Sequence, residues 1–145
     1  MKHVLKISIL LMAVLLGLSS CGDGDEPDGK WEKMKWKNID RLTEVNHTYI
    51  IPEEGGTFTF ECTNYRPWLS YVAINCEPQD AGQDWQDLWT EFSNDWFGVE
   101  IVDKKVIFTF DEIEEPVPLR TVEVVVTGGD IFYTFLFQQQ KQGKH

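Results

Sequence analysis

The feature that most constrains this chain is a two-residue alternation of apolar and polar side chains, recurring in short runs after Val45. In Thr57-Phe58-Thr59-Phe60-Glu61-Cys62, an extended backbone puts Phe58, Phe60 and Cys62 on one face, because strand side chains alternate with period two. Val106-Ile107-Phe108-Thr109-Phe110 repeats the pattern with Val106, Phe108 and Phe110 inward. Val122, Val124 and Val126 alternate with Thr121, Glu123, Val125 and Thr127, and Tyr133, Phe135 and Phe137 share a face of the run from Ile131 to Gln139. Pro52-Glu53-Glu54-Gly55-Gly56 and Gly128-Gly129-Asp130 punctuate these runs with residues suited to turns and a tight hairpin. With Thr48 to Ile51, Leu69 to Ile74 and Phe97 to Val102, the count reaches about seven strands, as in a β-sandwich. The expected fold class is all-β.

One stretch breaks the alternation. Between the third and fourth expected strands lies an insertion, Asp80 to Asn94, containing Gln83-Asp84-Trp85-Gln86-Asp87-Leu88-Trp89-Thr90-Glu91-Phe92. Trp85, Leu88, Trp89 and Phe92 fall at helical spacing, and Asp84 can cap the start, so the pattern predicts a short helical insertion. Two uses are open for its aromatic stripe. It can close one open end of the sandwich, each buried indole contributing a few kcal/mol, about 25 cal/mol per Å². Alternatively, Trp85 or Trp89 can present a flat ring to a sugar, with Asp84, Gln86 or Asp87 bonding the hydroxyls. Tyr65 and Arg66, in the loop before Pro67, form a second candidate site, since loops carry binding more often than strands do.

The N-terminus reads as an export signal: basic Lys2, His3 and Lys6, an apolar stretch from Ile7 to Leu16, and small residues Gly17, Ser19 and Ser20. The apolar stretch is on the order of ten residues, against roughly 20 needed to span a bilayer. Leu18-Ser19-Ser20-Cys21 resembles a bacterial lipobox, which implies cleavage before Cys21 and acylation of its thiol. The following Gly22-Asp23-Gly24-Asp25-Glu26 resembles the export signal that sends lipoproteins to the outer face of the outer membrane in Bacteroidota-type bacteria. The expected organisation is a signal peptide at 1–20, an acidic flexible linker at 21–40, a sandwich domain at 41–140 and a tail at 141–145. Gly22 to Lys37 carries only Trp31 and Trp36 as large apolar groups, so this linker can dock late against the domain. Cleavage removes Lys2 and Lys6 and no acidic residue, making the mature chain two charges more acidic than the formal −11 of the whole. Such a surface repels nucleic acid and anionic headgroups, leaving the lipid as the only membrane contact.

From Ile51 onward the order of motifs is similar to that of a BACON domain: Ile51-Pro52-x-x-Gly55-Gly56, Thr63-Asn64 with Pro67-Trp68-Leu69, Asp95-Trp96-Phe97, Leu119-Arg120-Thr121-Val122, Gly128-Gly129, and Phe135-Leu136-Phe137-Gln138-Gln139. The resemblance covers roughly residues 45 to 140. It implies an immunoglobulin-like β-sandwich in a surface or periplasmic protein, with a role in carbohydrate binding or as a spacer, and puts Trp68 and Trp96 at positions that usually face the core.

Catalytic and metal-binding patterns are sparse. His3 lies in the signal, His47 at the domain entrance and His145 at the terminus, which leaves nucleophilic triads only an edge histidine. Asp111, Glu112, Glu114 and Glu115 crowd one loop before Pro116-Val117-Pro118 and read as a solvated acidic turn, without EF-hand spacing for calcium. Cys62 and Cys76 fall on expected inward faces of neighbouring strands and are expected as buried free thiols, with a disulfide as the alternative. No Cys/His spacing points to zinc. The sequence therefore leads to a surface-anchored, non-catalytic lipoprotein without cofactor or metal that binds glycan or mucin-type saccharide through Trp85, Trp89, Tyr65, Arg66, Asp84 and Asp87. The alternative is an accessory subunit of an outer-membrane complex, whose apolar sheet face, with Phe132 and Leu136, contacts a protein or lies under the Trp31–Trp36 segment.

Overall fold

The computed structural model describes residues 31–81, 87–114 and 119–141; Cys21, Asp84, Trp85 and Gln86, with the roles expected of them, lie outside that range. Strands β1 (Trp36–Asn38), β2 (Glu44–Val45), β3 (Thr48–Ile51), β4 (Gly56–Cys62), β5 (Trp68–Ile74), β6 (Glu77–Pro78), β7 (Glu91–Ser93), β8 (Phe97–Val102), β9 (Lys105–Phe110), β10 (Leu119–Thr127) and β11 (Phe132–Gln140) form two sheets. Sheet A runs β1-β4-β9-β8-β7 and sheet B runs β2-β3-β11-β10-β5-β6. The seven longer strands are those expected from the alternation. The four short ones, β1, β7, β2 and β6, are the outermost strands of the two sheets, where short length limits edge-to-edge pairing with other chains.

The inward faces meet in an aromatic core. Phe60, Phe108, Phe135 and Phe137 are buried together with Val72, Val106, Val124 and Val126. Phe108 contacts Phe137 at 4.5 Å and Phe135 at 5.0 Å between ring centroids, so sheet A and sheet B interlock through rings at its centre. The β3–β4 turn closes at Gly55, whose φ of +75° suits glycine, and a Cβ there would come within 2.2 Å of the Phe110 carbonyl oxygen.

Three expectations change. The helical insertion is absent from the described residues: 87–90 is irregular, and Glu91–Ser93 is a strand. The reason is the backbone bonding. Leu69 N donates to the Trp89 carbonyl at 2.7 Å from sheet B, and Ile101 N donates to the Thr90 carbonyl at 2.8 Å from sheet A. This segment spends its carbonyls bridging the two sheets along one open edge instead of on an i→i+4 ladder. The spacing that mimicked a helix comes from an extended segment with Trp89 inward, Phe92 half-buried and Leu88 60% exposed.

The second change concerns the cysteines, both free. Cys62 is buried at the end of β4 in sheet A, whereas Cys76 is exposed at φ 68° in the two-residue turn between β5 and β6 of sheet B. They do not sit on neighbouring strands. The third concerns the segment before residue 40. Met34 is buried, β1 pairs antiparallel with β4, and Trp36 packs on Phe135 and Tyr133 at 4.9 and 5.4 Å. The late part of the expected linker thus closes the second open edge of the sandwich. It does not cover the outer face of sheet B, where Phe132 stays 57% and Leu136 37% exposed.

Candidate functional site

Of the residues singled out from the sequence, Trp89 and Tyr65 are engaged by the fold, whereas Asp87 and Arg66 are exposed. Trp89 is only 8% exposed, and its indole N–H donates to the Glu91 carbonyl at 2.7 Å. Its ring plugs the sandwich edge and is not a sugar platform. Asp87 is exposed. Tyr65 is half-buried, and its hydroxyl donates to the Glu32 carbonyl at 2.6 Å. Gly128 backs Tyr65 closely: a Cβ there would stand 3.2 Å from the Tyr65 Cβ and 3.3 Å from the end of Met34. Next to it, Asn64 accepts from Lys35 N at 3.0 Å and donates to the Lys33 carbonyl at 2.9 Å. Arg66 reaches Asp103 Oδ1 at 3.1 Å, both largely exposed. This end of the sandwich is a dock for the chain's own 32–35 segment.

The opposite end is built differently. Asn94 Oδ1 accepts from Trp96 N at 2.9 Å and Phe97 N at 2.7 Å, an Asx-type turn that sets Trp96 at the mouth of β8. Trp96 is half-buried and packs against the core beside Phe97, in line with the core-facing position the resemblance implied; Trp68 is half-buried. Asp111 N donates to the Trp96 carbonyl at 2.8 Å, bringing the acidic loop after β9 beside the ring. Ile113, 1% exposed, pins that loop from below, and its N–H donates to the Glu53 carbonyl at 2.9 Å.

Beneath both loops lies Gln139, 1% exposed near the end of β11. Its amide N–H groups donate to the carbonyls of Asp111 at 2.9 Å, Pro52 at 3.1 Å and Glu53 at 3.3 Å. One buried side chain thereby adds a donor to carbonyls of two loops and ties the loops together. Its Oε1 accepts from Arg120 Nη1 at 3.4 Å, and the same nitrogen points to the Asp111 and Glu112 carbonyls at 3.4 and 3.3 Å. The Arg120 guanidinium lies 4.6 Å from the Trp96 ring centroid, in cation–π range.

These groups line an open depression of about 450 Å³ formed by Asp95, Trp96, Asp111, Glu112, Glu114 and Arg120. Four carboxylates face one guanidinium and one partly exposed indole. A second hollow of about 600 Å³ runs over sheet A, lined by Glu91, Phe92, Ser93, Gly98, Glu100 and Thr109 among others. Among the described residues, no group of three or more His, Cys, Asp or Glu side chains is arranged to hold a metal ion. Nor is any helix among them long and apolar enough to cross a membrane.

Burial first, then the hydrogen bond with Tyr133 and that residue's charge, and lastly the charge of Glu44, push the Tyr49 phenol well above its ordinary range. A hydrogen bond and ion pair with Lys35 hold the Glu32 carboxyl low.

The sequence held the parts of the cleft without their adjacency. Asp95-Trp96 and Arg120 stood out only as motif residues, and Asp111 to Glu114 only as a solvated turn. What joins them is topology: the start of β8, the end of β9 and the start of β10 meet at one end of the sandwich.

No protein-family model matches the chain, and no curated protein does. Among solved structures, it is similar to the NMR structure of a protein from Bacteroides thetaiotaomicron, with a TM-score of 0.70 and 27% identity, covering 86% of this chain and 99% of that one. The likeness supports the all-β sandwich.

Proposed function

We propose that this protein is a lipid-anchored, non-catalytic surface module of the BACON type, an immunoglobulin-like sandwich that binds saccharide in the cleft around Trp96. The observation carrying the reading is the partly exposed Trp96 indole, flanked by carboxylates and a guanidinium at a loop-built end. Sugar rings stack their apolar faces on aromatic side chains while carboxylates and guanidinium groups bond the hydroxyls, so an indole and hydrogen-bonding groups in one cleft suit this ligand class. The site therefore moves from Trp85, Trp89, Tyr65 and Arg66 to the far end of the sandwich.

The 32–35 segment runs along the Asn64–Tyr65 loop and leaves the Trp96 end of the domain uncovered. The similar protein from a Bacteroides lends further support, since the acidic signal after Cys21 resembles one used in that bacterial group.

A second reading, an accessory subunit of an outer-membrane complex, draws on the exposure of Phe132, Leu136 and Ile50 on the outer face of sheet B. A glycan array probed with the full chain and its Trp96→Ala variant separates the two. Binding that disappears in the variant supports the saccharide module. No binding to any glycan, together with co-purification of an outer-membrane protein that Leu136→Asp releases, overturns it in favour of the second reading.

A further inference from the structure

We infer that the outer face of sheet B is an interface on which a second copy of this chain seats. The two outer faces of the sandwich differ in charge. That of sheet A carries Lys37, Glu61, Lys105, Glu91 and Glu100, whose register aligns Lys37 with Glu61, Glu61 with Lys105 and Glu91 with Glu100. On sheet B, directly paired residues share a face, and the pairing of β5, β10, β11 and β3 turns Trp68, Tyr71, Val125, Phe132, Leu136 and Ile50 outward. Trp68, Tyr71 and Val125 are half-buried; Phe132, Leu136 and Ile50 are exposed. Among the described residues, Glu123 is the one charge at the outward positions of these four strands. In a chain with 24 acidic and 13 basic residues, a face spared of charge is where two copies can approach without mutual repulsion, and loss of charged residues marks interface cores.

The occupant is a second copy because the face carries its own complement. Phe132 projects at the start of β11. Toward the other end of the same strand lies an open, mostly apolar depression of about 210 Å³, lined by Ala73, Glu123, Leu136 and Gln138 among others. A two-fold axis in the plane of the interface, crossing β11 at Thr134, lays Phe132 of each copy over Leu136 and the depression of the other, so one patch makes two identical contacts. On that axis the register puts Val125 beside Thr134 and Tyr71 beside Val125, and no charge meets itself; Glu123, paired with Leu136, lies off it. Six strands about 4.8 Å apart, with residues about 3.3 Å apart along them, give a face of about 29 by 20 Å. Two such faces bury on the order of 1,200 Å², the lower end of the range for specific complexes, which points to a reversible dimer.

The test is sedimentation equilibrium of the full chain from about 1 to about 200 μM, where a monomer–dimer equilibrium is expected with a Kd on the order of 10 μM. Phe132→Asp and Leu136→Asp should each raise that Kd at least about tenfold, because each would bury a carboxylate in an apolar contact. Val102→Asp, at an exposed apolar position on sheet A, should leave it unchanged. About 0.5 M salt should hold or tighten the dimer, since it screens the repulsion between two acidic copies. Phe132→Cys with Leu136→Cys reads the geometry. Within one copy these positions stand about 13 Å apart along β11, beyond the span of a disulfide, so with Cys21→Ser and Cys76→Ser in place a bridge between them joins two copies. A covalent dimer is expected from the pair and not from Phe132→Cys alone. A chain that stays monomeric over the whole concentration range, or a dimer that Phe132→Asp and Leu136→Asp leave intact, overturns the inference. So does a monomer that holds an outer-membrane protein through this face. Glycan binding is read separately, since neither Phe132 nor Leu136 lines the Trp96 depression; its failure ends the saccharide reading and leaves the dimer standing.

Discussion

The two ends of the sandwich carry similar raw material, an aromatic ring, an arginine and carboxylates, and use it in opposite ways. At one end, Tyr65 bonds Glu32, Asn64 bonds both Lys33 and Lys35, and Arg66 pairs with Asp103. Polar groups there serve the chain's own N-terminal segment. At the other end, Gln139 and Arg120 satisfy loop carbonyls from below, and the Trp96 ring and four carboxylates remain toward solvent. An end that the chain has already covered has little left to offer a ligand. An end braced from inside can keep its outer surface for one.

That contrast is open to attack by substitution. The largest effect is expected for Gln139→Leu, which removes the buried amide that links the Pro52–Glu53 and Asp111 carbonyls; because these carbonyls keep other donors, chemical denaturation should show a loss of about 2 kcal/mol. Saccharide binding should fall with it even where the protein is fully folded, because the Asp111–Glu114 loop loses its brace. Trp96→Ala should lower saccharide affinity at least about tenfold, and because the half-buried ring packs on Phe97 and Arg120 its unfolding should show a loss of about 1–2 kcal/mol. At the covered end, Tyr65→Phe deletes one hydrogen bond and should cost about 1 kcal/mol without touching affinity. Arg66→Ala is the smallest, within about 0.5 kcal/mol because its ion pair is exposed, and salt should diminish even that. A reversed pattern, with Tyr65→Phe or Arg66→Ala weakening saccharide binding and Trp96→Ala silent, would exchange the roles of the two ends.

The alternation made the fold legible. Seven runs of residues became the seven longer strands because each had one face to bury, and Phe60, Phe108, Phe135 and Phe137 all point where period two put them. The short edge strands escaped notice because two or three residues carry no usable period. The 84–92 stripe misled for a related reason. Hydrophobic spacing reports which residues want burial; it does not say that the backbone of Trp89 and Thr90 will be claimed by two different sheets. The Trp96 cleft was invisible as a site because its lining comes from three separated stretches, around 95, 111–114 and 120. Gln139, beneath them, stood out in the sequence only as part of the Phe135-Leu136-Phe137-Gln138-Gln139 motif.

The most direct test is an ¹H–¹⁵N NMR titration of the full chain with hexose and hexosamine oligomers, following backbone amides and tryptophan indole N–H signals together. The account predicts saturable shifts at the Trp96 indole and at the amides of Asp95, Asp111, Glu112 and Glu114, while the Trp89 indole and the amides of Tyr65 and Arg66 stay in place. Shifts centred on Tyr65, Arg66 and Trp89, with the Trp96 signals unmoved, would contradict it.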